Sequence, residues 1–460
     1  MLNFAQLVDR AARAAAYLEG VDAGGTAPVA LLLEDGAEFA TWFHAAMIAG
    51  RCVLPLNLRL TACEIEQQLA DARVRCLIGA AGDPRLADFR QRLPLLDAVA
   101  APRVDGLPAA AGHPQRALDV DRTLAVLYTS GTSGTPKGAC LSWSNFLASA
   151  AASEERLGAA VRLRWLACMP LFHVGGLSLL VRSVVFGAPL RLHDRFDAAS
   201  VSDALDAGDV AGISLVPTML HRLLEHRGSR RAPPGLRVVL LGGAAAPAQL
   251  VRRALETGYP VCPTYGLTEA TSQVATAAPP AAGATAPQPM RAVHGTRLRI
   301  VADGRDSDPG EAGEILVQGP TVMQGYLNHP EASSRVLRGG WLHTGDIGCL
   351  DAQGALRVLD RRDDLIVSGG ENVYPAEIES VLLEHPSVAE AGVAGVPDAD
   401  LGSRVVAWIV AAPGSVLSVE EIERHCRTRL AGYKRPREYR LVDALPRTAS
   451  GKLLRRQLSG

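Results

Sequence analysis

The sequence predicts an α/β protein: a large N-terminal domain of several subdomains, with α/β sheets and a β-rich part, followed by a small α+β C-terminal domain. Three observations predict it. At 460 residues the chain exceeds what one core organises, and about 150 residues per domain gives two to three domains. Short continuous apolar runs, at 28–33, 124–128, 211–216 and 236–241, alternate with stretches whose apolar residues recur at helical spacing, the mark of buried strands covered by helices. From 297 to 356, glycine spacing and alternating segments at 314–317 and 356–359 read as a β-rich subdomain.

The first twenty residues place Phe4, Leu7, Val8, Ala11, Ala15 and Leu18 on a helical stripe broken by charges, which is no signal-peptide core. Residues 38–49 read as a helix packed through Phe39, Trp42, Phe43 and Met47. The Ala-, Pro-, Arg- and Gly-rich stretch 81–119 reads as surface connection. The apolar run 124–128 then leads into TSGTSGTPKG, residues 129–138. Gly131 and Gly134 can turn successive N–H groups toward an anion. Thr129, Ser130, Thr132, Ser133 and Thr135 add hydroxyl donors, and Lys137 a point charge. A polyphosphate suits this composition; a flexible Ser/Gly connector is the bland alternative. The spacing is not that of Walker A.

Lysine usage sharpens the point. Of 47 basic residues 44 are arginine, and the three lysines are Lys137, Lys434 and Lys452, all in or beside stretches that carry glycine or proline. A site that needs a movable point charge resists exchange for a rigid planar fork.

Residues 143–157 read as a helix and 163–169 as a strand ending in PLFHVGG. His173 beside apolar neighbours reads as a packed core histidine. Arg182 lies in an otherwise apolar stretch, 177–186, and needs a counter-charge. An internal carboxylate is the reading composition favours, a substrate carboxylate the alternative. The runs 211–216 and 236–241 read as central parallel strands around a helix at 217–226, the second ending in Gly242, Gly243 and Ala244, which leave room for a flat ring or simply turn the chain before a helix at 247–257. VCPTYGLTEATSQ brings Tyr265, Gly266, Thr268 and Glu269 together; they suit a nucleotide with a divalent cation, or Thr268 caps a helix. Asp346, after Gly345 in WLHTGD, either accepts both hydroxyls of a ribose or caps a turn.

A charged break, DRRDD at 360–364, reads as a linker before a small domain over 364–460, with a helix from Pro375, strands at 388–396 and 405–410, and a helix at 419–430. The last 34 residues hold ten basic side chains against two acidic, and Gly451-Lys452 reads as a presented lysine. The totals exclude several classes. Charges nearly cancel, 47 basic to 48 acidic, which gives no reason to expect nucleic-acid binding. Eight cysteines show no CxxC or Cys/His spacing, so neither a disulfide framework nor a zinc site is expected. No apolar run approaches the roughly 20 residues of a membrane span. A cytoplasmic protein without stable membrane insertion is the expectation, its oligomeric state open, a homodimer included.

Taken together, YTSGTSGTPKGACLSWSNF, YGLTEATSQ, WLHTGDIG, DRRDDLIVSGGENVYPAEIE and PRTASGKLLRRQL resemble, in order and spacing, the adenylate-forming acyl-CoA synthetases, which share a fold with firefly luciferase and peptide-synthetase adenylation domains. The resemblance spans essentially the whole chain. It implies a carboxylic acid, ATP, Mg²⁺ and coenzyme A, with a carrier protein as the alternative thiol. It implies an N-terminal core over 1–360, a hinge at 361–363 including Asp363, and a mobile domain over 364–460. It places the loop 129–138 on the β- and γ-phosphates, Glu269 on Mg²⁺, Gly242–Ala244, Tyr265 and Gly266 at the adenine, and Asp346 with Arg361 at the ribose. Lys452 would bridge the carboxylate and the α-phosphate, Thr268 and His173 join the catalytic set, and His173, Gly175, Arg182 and Gly266 surround the acid. The 368–372 face would meet the thiol channel, and Lys434 with its neighbours to Arg437 the CoA phosphates.

MPLFHVGGLSLLVRSVVFG, ISLVPTMLHRLL and LLGGAAAP further resemble the o-succinylbenzoate-CoA ligases within that family, where an arginine matching Arg182 suits the second carboxylate of the acid. Gly175, the segment PQPMRAVHGTRLRI and the 277–289 loop depart from that subfamily's pattern. Another aromatic or medium-chain acid is the alternative substrate, and a non-catalytic nucleotide-binding protein the alternative class.

Overall fold

The computed structural model describes residues 2–21, 25–34, 36–93, 96–108, 119–129, 136–244, 246, 248–360, 366–415, 417–446, 453 and 455–458. Three sheets form among them, in the mixed α/β class expected. The first runs, from edge to edge, through Gly325–Tyr326, Lys137–Ser142, Thr123–Thr129, Val53–Pro55, Val29–Leu32, Cys76–Gly79 and Asp97–Ala100. Its middle strands pair in parallel and are buried on both faces, which is why they read as unbroken Val/Ala/Leu runs.

The second sheet joins a parallel half to an antiparallel half. Trp165–Ala167, Gly212–Leu215, Val238–Leu241 and Val261–Leu267 are parallel neighbours; Val261–Leu267 then pairs antiparallel with Ser272–Thr276 and passes into the β-rich part, whose core is Arg297–Ala302, Gly313–Gln318, Trp341–Leu350 and Ala355–Asp360. Helices Pro217–Arg227 and Trp143–Leu157 are well signalled: one starts with proline, the other with a reciprocal Ser142/Asn145 cap. The third sheet orders Glu371–Val373, Ile366–Ser368, Gly402–Ala411 and Val388–Asp398, with Glu438–Leu441 beside Gly402–Ala411. Helices Pro375–Leu383 and Val419–Arg429 close its core through Ile378, Leu382, Ile422 and Cys426.

Three local expectations are corrected. The stretch 81–119, read as connection, holds the helix Arg85–Arg92 and the strand Asp97–Ala100. Only Leu86 and Phe89 anchor that helix, and the strand is a half-exposed edge, so the apolar signal is thin. The strand expected at 163–169 is confined to Trp165–Ala167. Thr268 caps nothing: it opens a short 3₁₀ turn, Thr268–Ala270, without a side-chain cap. Among the described residues no helix is long and apolar enough to cross a membrane.

Candidate functional site

A cavity of about 270 Å³ opens where the parallel strands of the second sheet end, against the first sheet and the third. Small-molecule sites favour this position beyond the carboxyl ends of α/β strands. Its lining includes Thr129, His173, Gly175, Arg182, Gly242, Gly243, Gly266, Thr268, Glu269, Asp346 and Lys434, so residues spread over three hundred positions converge on one cavity. Ser130–Thr135, Arg361, Asp363 and Lys452 lie outside the described residues.

The phosphate-loop candidates begin as a hairpin. Thr129 and Lys137 face each other across the antiparallel strands Thr123–Thr129 and Lys137–Ser142, which fixes both ends of the loop. Thr129 Oγ1 donates to Glu269 Oε1 at 3.4 Å, and Tyr326 Oη donates to the same oxygen at 2.8 Å. Lys137 Nζ sits 5.9 Å from the Tyr326 ring centre. One carboxylate beside a threonine hydroxyl at the root of a glycine-rich loop fits Mg²⁺, which takes one or two protein carboxylates and fills its shell with phosphate oxygens and water. Tyr326 itself carries no sequence signal; an isolated Gly-Tyr on an edge strand announces nothing.

Tyr265, expected at the nucleotide base, lies against Asp346. Its ring is buried in the core, and its hydroxyl donates to Asp346 Oδ2 at 2.6 Å. Asp346 is further fixed through its backbone N–H, which donates to Thr344 Oγ1, while Glu314 accepts from the Gly345 N–H. The Asp346 carboxylate is thus oriented by a tyrosine. Gly266 is demanded sterically: a Cβ there would lie 1.6 Å from the Ser272 carbonyl oxygen, at the bulge between Val261–Leu267 and Ser272–Thr276. Gly266→Ala is expected to open this strand pair and cost about 3 kcal/mol or more, read by chemical denaturation.

His173 is not packed in the core. It precedes the helix Val174–Phe186, its side chain is 42% exposed, and Nε2 lies 3.1 Å from Glu371 Oε2. Glu371 comes from the third sheet and also binds Arg59. Burial works to raise its pKa, but His173 and Arg59 outweigh that and hold the carboxyl below its ordinary value. Gly370 brings this face in: at φ +86°, its missing Cβ would sit 3.0 Å from Val216.

Among the described residues, the internal ion pair that composition favoured for Arg182 is absent. The guanidinium is 6% exposed and lies over the Trp165 ring at 4.9 Å; Nε and Nη1 have no partner, and no described carboxylate pairs with it. Burial pushes its pKa down to about 10. Ser214 Oγ, on the same cavity wall, is likewise buried and unpartnered. Sequence reasoning missed Ser214 because a serine within an apolar strand looks like filler. A second correction concerns Lys434. Expected to meet CoA phosphates, it is 4% exposed and held at 2.7 Å by both Glu64 and Glu377.

Known proteins share this arrangement. The 2-succinylbenzoate–CoA ligase of Geobacillus kaustophilus is 43% identical over 99% of this chain and 92% of its own length. The o-succinylbenzoate CoA synthetase of Bacillus subtilis, as a double mutant bound with a product analogue, OSB-NCoA, superposes with a TM-score of 0.88 at 38% identity, covering 99% of this chain and 93% of that one. With the acyl-adenylate OSB-AMP the same enzyme, at the same identity and coverage, superposes at only 0.72. The model of the AMP-binding enzyme matches residues 1–327 and that of the AMP-binding enzyme C-terminal domain residues 377–452, so the chain belongs to the AMP-binding enzyme family.

Proposed function

We propose that this chain is an ATP-dependent acid–CoA ligase acting on o-succinylbenzoate, joining the acid to AMP with release of pyrophosphate and then passing the acyl group to the thiol of CoA with release of AMP. The likeness to the succinylbenzoate ligases supports the reaction. The observation that carries the acid is Arg182: a desolvated guanidinium with no counter-charge among the described residues, in a cavity that also holds an unpartnered serine hydroxyl, calls for an anionic group on the ligand. A dicarboxylic acid supplies one carboxylate for reaction and a second for this pocket.

In this reading Glu269 and Thr129 hold Mg²⁺ against the pyrophosphate end of ATP, where the cation neutralises charge that builds on the leaving oxygens. Asp346, held by Tyr265, accepts the ribose hydroxyls. The close approach at Gly242 and Gly243 admits the flat base. His173 stands at the mouth between the acid and Glu371, where the thiol must enter. The roles of the 130–135 loop, Arg361, the Asp363 hinge and Lys452 follow from the family resemblance.

ATP–pyrophosphate exchange over a panel of acids tests this. Exchange with o-succinylbenzoate is expected to exceed that with benzoate by about a hundredfold or more, the worth of a buried charge-assisted pair. Equal exchange with both acids overturns the substrate assignment. No exchange with any acid supports a nucleotide-binding protein without turnover.

A further inference from the structure

The Lys434 ion triad crosses between the body of the first sheet and that of the third, which the proposed two-step reaction would move relative to each other. Lys434 and Glu377 both belong to the body of the third sheet, so their 2.7 Å contact persists however that body is oriented. Glu64 lies on the helix Ala62–Asp71 beside the first sheet, and its contact exists only when the two bodies meet as they do here. Its two oxygens divide the labour. Oε2 accepts from the backbone N–H and the hydroxyl of Thr61, completing the cap of its own helix, while Oε1 faces the Lys434 ammonium. Ala431, three residues before the lysine, is buried within the first body's apolar cluster alongside Leu60 and Ile65. Tyr433 accepts from Asn57 and lies under the Arg59 guanidinium at 4.7 Å. The segment 431–434 is therefore the docking edge.

We propose that Glu64 is the fixed half of an interdomain latch whose moving half is the preformed Lys434–Glu377 pair, and that this latch positions the C-terminal body for thiol transfer. Glu64 and Lys434 are positioning residues: they act through the placement of the C-terminal body. A neutral pair that travels intact exposes no lone charge on opening, and only one carboxylate loses its water on closing. Two carboxylates on one ammonium leave the closed cluster with a net negative charge, so desolvation and repulsion offset much of the attraction. Such a latch selects one orientation without trapping it, as a cycling domain needs. Lys434 is held protonated, because the carboxylates outweigh the burial that works against its charge.

This inference rests on the two-step reading above, and the test separates the two. Glu64→Gln keeps a carbonyl oxygen for the Thr61 cap and turns an amide N–H₂ on the ammonium. ATP–pyrophosphate exchange is expected to stay within about twofold of the parent, while CoA-thioester formation from supplied acyl-adenylate slows on the order of tenfold. Glu64→Lys is expected to slow transfer further, and combining it with Lys434→Glu, which restores the triad's composition, to recover part of the loss. Unchanged transfer in Glu64→Gln, or equal losses in both half-reactions, overturns the latch. A parent enzyme that adenylates but never forms a thioester overturns the two-step reading instead. Small-angle scattering of the intact chain then decides the latch alone: a shift toward the other arrangement in Glu64→Gln supports it, and an unchanged profile rejects it.

Discussion

Replacing Arg182 by methionine is expected to lower kcat/KM for o-succinylbenzoate by about 10²- to 10³-fold, since truncating one partner of a buried charge pair costs roughly 2–5 kcal/mol. The same variant is expected to leave exchange with benzoate unchanged or faster, because a monocarboxylate has nothing to offer the guanidinium. Stability should move the opposite way. Arg182 is desolvated without a counter-charge among the described residues, and two of its nitrogens lack any hydrogen bond there. A methionine of similar length keeps the contact with Trp165 and removes the buried charge, so the melting temperature is expected to stay level or rise. Thermal scans and steady-state kinetics on one preparation check both arms. A variant that loses stability and activity toward every acid alike would show that Arg182 supports the pocket wall and does not read the substrate.

That Arg182 could be noticed at all from sequence, and its partner misjudged, shows where legibility ends. An arginine inside an apolar stretch signals an unmet charge, yet composition cannot say whether the missing partner is protein or ligand; only the absence of a facing carboxylate does. The parallel strands Val29–Leu32, Gly212–Leu215 and Val238–Leu241 were legible because burial on both faces writes unbroken apolar runs. The helix Arg85–Arg92 was not, since two apolar side chains suffice to hold it and arginines fill the rest. The glycine-rich and YGLTE segments announced a site because close backbone approach leaves few residue types free, as Gly266 shows. Glu64, Arg59 and Tyr433 carried no signal: each is ordinary in its own segment and acquires a role only when the third sheet docks against the first.

Lys452→Ala is expected to slow adenylation by about 10²- to 10³-fold, the scale of one charge lost from a phosphoryl-transfer transition state, while thioester formation from supplied acyl-adenylate proceeds at close to the parent rate. The asymmetry follows from which face of the C-terminal body meets the cavity. Here that body contributes Gly370, Glu371, Asn372, Tyr374, Tyr433 and Lys434 to the lining. Leu453, the neighbour of Lys452 in the chain, instead packs against Gly392 in the strand Val388–Asp398, and among the described residues none from that strand or from 440–458 lines the cavity. On the proposed reading, a lysine on that segment would serve the α-phosphate in a second orientation of the body, and the two half-reactions would draw on different faces of it. Glu64→Gln and Lys452→Ala therefore make opposite predictions: the first is expected to impair transfer and spare exchange, the second to impair exchange and spare transfer. If both variants lose the same half-reaction, a single fixed arrangement serves both steps, and the separation of faces has no catalytic meaning.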